Sequence, residues 1–157
     1  MRKRLISVAP ETVRSPGESR LDVEQTAVIE YTSEAKDHPV EAAFISGQPL
    51  GWRAAAPGAQ TIRLVFDQPQ RLKHISLVFE ENETTRTQEF VLRWSPDRGI
   101  SSKEIVRQQW NFSPPETKRE VEEYQVELSN VTVLELIIVP NISGGAAHAS
   151  LKSMRLS

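Results

Sequence analysis

From residue 26 onward the chain runs in short stretches of alternating character. "TIRLVFD" (61–67) places Ile62, Leu64 and Phe66 on one side and Thr61, Arg63 and Val65 on the other, the period of two that a half-buried strand requires. "QEFVLRWS" (88–95) repeats the pattern, with Phe90, Leu92 and Trp94 against Glu89, Val91 and Arg93, and ends at the turn "PDRG". "TAVIEYTS", "LKHISLVFE", "KEIVRQQWNF", "YQVELS", "VLELIIVP" and "SLKSMRLS" are built alike, separated by "DQPQ", "ENETTR" and a Gly-Gly loop. Clusters of Pro, Gly and Asn are where strands stop. One stretch fits two templates: in "KREVEEYQVEL", Val121, Tyr124 and Leu128 fall at helical spacing, and Tyr124, Val126 and Leu128 at strand spacing. Spacing alone does not choose between them. Eight or so short strands without intervening helices predict an all-β, antiparallel sandwich, because each strand has one apolar face that needs a second sheet opposite. No internal repeat is visible, which argues against a propeller.

A chain of 157 residues suits one domain. Residues 1–20, with Pro10, Pro16, Gly17 and five basic residues against Glu11 and Glu18, are expected to form a mobile arm ahead of a domain at 21–157. Cysteine is absent, which excludes disulfides and thiolate metal sites. Nineteen basic and 21 acidic residues leave a charge of -2, no footprint for nucleic acid or an anionic membrane. The apolar run Leu5, Ile6, Val8 and Ala9 stops at Pro10, short of a secretory core of about 7–15 residues. No stretch approaches the ~18 apolar residues of a membrane span. The chain is therefore expected to be cytoplasmic, and the N-x-S/T triplets at Asn82, Asn111, Asn130 and Asn141 to be chance.

The order "TSEAKDHPVEAAF", "GW", "TIRLVFDQPQRLKHISLVF", "FVLRWSPDRG", "LELIIVP", "ASLKSMRL" resembles the discoidin, or coagulation-factor C-type (F5/8 type C), domain of the galactose-binding-like superfamily, over about residues 22 to 157. The resemblance implies an eight-stranded jelly roll with ligand loops at one end, a corner tryptophan at Trp52 packed under those loops, and no catalytic groups. Many members bind sugars; others bind lipid headgroups or proteins. Two departures from the family pattern stand out. Arg53, Ala56, Glu80 and Arg86 occupy the places where sugar-binding members carry His, an aromatic, Arg and Asn, so the usual galactose site is not preserved. Ser46 and Ser153 stand where carboxylates hold a structural calcium, an ion that prefers several carboxylate oxygens, so neither a tight metal site nor another cofactor is expected.

Catalytic motifs are missing. His38, His74 and His148 are isolated, no H-E-x-x-H or G-x-S-x-G occurs, and "SGG" at 143–145 opens no predicted helix. The acidic runs Glu80, Glu81, Glu83 and Glu120, Glu122, Glu123 read as solvated faces. Trp110, beside Gln108, Gln109 and Asn111, has the company a sugar site needs, since an aromatic ring covers the apolar face of a pyranose while amides take its hydroxyls. Burial between the sheets is the competing reading. Arg86, with Gln88 and Glu89 where a loop enters a strand, either grips a ligand through its planar fork or pins the loop to a Glu. The expected function is a non-catalytic carbohydrate-binding module using Arg53, Arg86, Gln88, Trp110 and His148 at the barrel mouth. The alternative is a protein-interaction or homodimerising module, docking through the same loops or through an exposed face of Val91, Ile137 and Val139.

Overall fold

The computed structural model describes residues 20–157; the expected N-terminal arm lies outside them except for Arg20. Eight strands follow one another: β1 (Ala27–Tyr31), β2 (Trp52–Pro57), β3 (Gln60–Glu80), β4 (Arg86–Ser95), β5 (Lys103–Phe112), β6 (Arg119–Val139), β7 (His148–Leu151) and β8 (Ser153–Leu156). Among the described residues helix is confined to one turn at Val23–Thr26 and a 3₁₀ turn at Val40–Ala43. No helix there is long and apolar enough to cross a membrane. Every pairing is antiparallel, and the predicted all-β sandwich is the observed one.

β3 and β6 are 21 residues each and belong to both layers. Residues 60–66 of β3 carry β1 on one side and residues 133–138 of β6 on the other, and β4 and β5 extend that layer. Residues 72–80 of β3 carry β8 on one side and residues 119–128 of β6 on the other, forming the second layer. Between the halves the register slips from Val65 to His74. The inward set changes parity there, from Ile62, Leu64 and Phe66 to Ile75, Leu77 and Phe79, all of them buried. An extra residue in one strand does this, bending the sheet and exchanging its faces. Pro69, which has no N–H to donate, sits in that irregular stretch. In β6 the bend falls at Asn130, whose φ of 59° is a conformation Asn tolerates better than most residues. "TIRLVFD" with "LKHISLVFE", and "YQVELS" with "VLELIIVP", are thus each one bent strand. "KREVEEYQVEL" lies in β6, so its strand spacing is the one in use.

The two inner faces meet in one core, where Phe79 of the second layer lies against Phe90 of the first with ring centroids 5.2 Å apart. β2 and β7 pair as a separate ribbon, Trp52 opposite Leu151 and Arg53 opposite Ser150, and bury Trp52, Ala54, Ala149 and Leu151 in the same core. Trp52 is 1% exposed, and its Nε1 donates to Ser33 O at 2.9 Å. The glycine before it has φ 67°, and a Cβ there would stand 2.7 Å from Leu151 O and 2.8 Å from Lys152 Cα. Only glycine lets the ribbon close that tightly. The face offered by Val91, Ile137 and Val139 is not an exposed apolar patch: Val91 is buried and the other two are half-buried, because β4 and β6 pair directly, Val91 opposite Ile137.

Candidate functional site

At the end of the sandwich beside Trp52, four chain segments enclose a depression of about 250 Å³ lined by His38, Trp52, Arg53, Glu80, Asn82 and Lys152, among others. Alternation along β2 turns Arg53 outward when Trp52 turns in, and Arg53 is exposed. Lys152 occupies the single-residue break between β7 and β8. Its Nζ donates to Pro49 O and lies 3.7 Å from Glu80 Oε1. Arg119 binds the other oxygen of Glu80 at 2.9 Å, so this carboxylate is held between two cations. His38 is tied by its backbone, which accepts from Arg53 N at 3.3 Å. Its buried Nδ1 has no hydrogen-bond partner among the described residues. Chemically the depression offers a planar guanidinium, an ammonium, an amide and an imidazole nitrogen around one carboxylate.

The five residues singled out from the sequence do not converge. Arg53 lines the depression; His148 is on the same ribbon, but its Nδ1 lies 2.9 Å from Ala54 O, so that nitrogen carries the proton and is occupied. Arg86 and Gln88 are interior, 3% and 0% exposed. The inward face of β4 leads them under the loop that precedes it. Arg86 Nε donates to Glu81 Oε1 at 2.6 Å, and its Nη1 donates to Pro140 O at 2.7 Å and to Gln88 Oε1 at 3.2 Å. The guanidinium also lies over the Phe112 ring, 4.7 Å from its centroid. This is the loop pin, and the Arg86 side chain is 1% exposed. Gln88 in turn donates to Glu120 Oε1 at 3.1 Å. Trp110, opposite Gln88 on β5, is half-buried and also borders a shallow depression of about 340 Å³ with Gln109, Asn111 and Thr117.

The acidic runs are not all solvated. Burial raises the proton affinity of Glu81, but the Arg86 bond and the backbone N–H groups of Glu83 and Thr84 outweigh it and hold the carboxyl below its ordinary value. Glu120 is 0% exposed. Burial first, and then the neighbouring Glu122, push its carboxyl up to about 9. Tyr124 is raised as well, by burial and by the charges of Glu122 and Glu120. Glu120 has the parity of Tyr124, Val126 and Leu128, and that alternation was the signal for an inward position. His38, Glu80, Asn82 and Lys152 gave no comparable signal, because tertiary contact alone brings their segments together.

Two bent strands shared between a five-stranded and a three-stranded layer, with loops gathered beside a buried corner tryptophan, make this the galactose-binding-like jelly roll. Solved structures with this architecture include the module CpGH89CBM32-5 from Clostridium perfringens in complex with GalNAc-β-1,3-galactose, at TM-score 0.63 and 17% identity over 88% of this chain and 99% of that one. The CBM32 of AlyQ in complex with 4,5-unsaturated mannuronic acid superposes with TM-score 0.62 and 14% identity over 88% and 98%. A pectin-binding carbohydrate-binding module gives 0.61 and 14% over 85% and 91%. The likeness is one of fold. No family model and no curated protein matches the sequence.

Proposed function

We propose that the chain is a non-catalytic, discoidin-like carbohydrate-binding module whose sugar sits in the loop-end depression beside Trp52. The observation that carries this reading is the convergence of His38, Arg53, Asn82 and Lys152 around Glu80 on one small cavity. The fold supports it, since its neighbours include modules in complex with sugars. The cavity has room for about one pyranose ring, below the usual range for drug-sized ligands. The Arg53 fork bridges vicinal hydroxyls or a ring carboxylate, the Asn82 amide takes a further hydroxyl, and Glu80, steadied by Lys152 and Arg119, accepts from another. Such a site recognises one terminal sugar.

A glycan array identifies the ligand, and titration of Arg53→Ala against it tests the reading. Arg53 is exposed, and surface changes usually stay within about 0.5 kcal/mol of stability. The variant is expected to melt like the wild type and to bind at least tenfold more weakly. Unchanged binding by Arg53→Ala, or no glycan bound by the wild type, refutes the proposal.

A further inference from the structure

The outer face of the first layer carries two neighbouring rows of side chains. One is charged and runs across four strands, from Glu30 on β1 through Arg63 on β3 and Glu135 on β6 to Arg93 on β4. The next places Val65 opposite Val133 and ends at Ser95. With the hairpin that joins β4 to β5, these rows enclose a pocket of about 380 Å³, which shares no lining residue with the loop-end depression. That volume falls within the range of small-molecule sites. The hairpin wall is fixed in advance. Ser95 Oγ donates to Asp97 Oδ1 at 2.7 Å and accepts from Gly99 N at 2.8 Å. Arg98 N donates to Thr132 Oγ1 at 2.9 Å and the Arg98 guanidinium to Phe66 O at 2.9 Å, which ties the hairpin to β6 and β3. Those ties hold Arg98 at φ 61°, a backbone conformation that a non-glycine residue adopts at a cost.

The charges of this pocket do not cancel. Arg63 engages both acids: it donates to Glu135 Oε2 through Nε at 2.9 Å and Nη2 at 2.7 Å, and to Glu30 Oε1 through Nη1 at 3.0 Å. Arg93, at the end of the row, has no carboxylate partner among the described residues, and its Nη2 donates to Ser102 Oγ at 2.9 Å. Arg98 has none either, since its guanidinium donates to the carbonyls of Phe66 and Asp67. The Asp97 carboxylate does not answer them, because it is held by Ser95 and Ser101 inside the hairpin. Lys103 Nζ, 5.6 Å from the centroid of the Trp94 ring, adds positive charge beside the pocket. An arginine fork pairs best with a planar carboxylate, and the half-buried Val65 and Trp94 give an apolar surface next to it. We propose that this pocket is a second binding site, distinct from the saccharide site, which takes a small organic carboxylate with its anion on the remaining N–H groups of Arg93 and its apolar body on Val65, Val133 and Trp94. An inorganic anion would use only the charge, and a neutral molecule only the apolar floor.

The test follows the indole N–H resonances of the three tryptophans in the full-length chain, with Trp94 assigned through Trp94→Phe. Benzoate and hexanoate are the probes, benzamide is the neutral counterpart of the first, and sulfate is the anion without an apolar body, all at millimolar concentration. At least one of the two carboxylates is expected to shift the Trp94 resonance saturably, and equally in Arg53→Ala, while benzamide and sulfate act at least tenfold more weakly. Arg93→Gln is expected to weaken the carboxylate response at least tenfold. A Trp94 resonance that neither carboxylate moves overturns the proposal. So does a response to benzamide or sulfate as strong as that to the carboxylates, or a carboxylate response undiminished in Arg93→Gln or lost in Arg53→Ala. The comparisons with benzamide and sulfate need no variant, so they decide the matter even if Arg93→Gln fails to fold.

Discussion

Replacing Glu120 by Gln gives the sharpest check on how the interior is charged. Glu120 is 0% exposed and takes up its proton at about 9, against 4.5 ordinarily. Between those values the folded chain holds a proton that the unfolded chain releases, so stability falls as pH rises. The contribution is complete below about 4.5 and is gone above about 9. One proton corresponds to ~1.4 kcal/mol per pH unit, so from pH 5 to pH 8 the loss is at most ~4 kcal/mol, or roughly 10 °C in a domain of this size. Sharing the proton with Glu122 blunts the slope without changing its sign. A glutamine has the shape and donor pattern of the protonated acid: its oxygen accepts from Gln88 as Glu120 Oε1 does, and its NH₂ faces Glu122. Glu120→Gln should therefore melt near the wild type at pH 5 and gain on it steadily towards pH 8, reaching several degrees. Thermal melts of both proteins at pH 5, 6.5 and 8 read this out. Parallel curves, or a variant that loses ground as pH rises, would show that Glu120 is ionised in the folded chain.

The remaining expectations concern the frame around the sites. Gly51→Ala forces a Cβ to 2.7 Å from a backbone oxygen at φ 67°, and urea denaturation should show a loss of roughly 3 kcal/mol; a change below about 0.5 kcal/mol would mean the ribbon yields freely. Arg86→Ala leaves Glu81 and Pro140 O without their donor and should cost about 3–5 kcal/mol. The pair Arg86→Met with Glu81→Gln should recover much of that loss, and failure to do so would show the guanidinium matters for more than its charge.

What could be read in advance was whatever alternation encodes. β5 spans the run "KEIVRQQWNF", and β4 begins two residues before "QEFVLRWS", because β-branched and aromatic residues recur through both runs between turn signals. β2 was illegible: "WRAAAP" is mostly alanine, which has little strand preference, and only its pairing with β7 makes it a strand. The bends in β3 and β6 looked like chain breaks because a bulge interrupts the period as a turn does. The fold was legible for this reason, and its loop-end depression was not: Arg53 could be singled out, but His38, Asn82 and Lys152 lie far apart along the chain. Arg86 and Gln88 were drawn to the surface by their polarity, although their alternation with Phe90 and Leu92 already placed them inside.

The sharing of β3 and β6 between both layers governs how the molecule comes apart. Neither sheet can open alone, since each is closed by half of a strand whose other half holds the opposite sheet. The chain should therefore lose structure in one step, with amides of residues 62–66 and 75–79 exchanging their hydrogens through the same global event. Assembly is correspondingly non-local. β4 and β5 meet across a short turn, Trp94 opposite Lys103, but β3 must wait for a partner on the far side of that hairpin, Val78 opposite Val121 and Ile62 opposite Leu136. Pairings so distant along the chain fold in milliseconds to seconds rather than microseconds, and until β6 arrives the long edge of β3 stands open. During synthesis that edge, more than the loop-end depression, is the exposed surface most prone to pair with another chain.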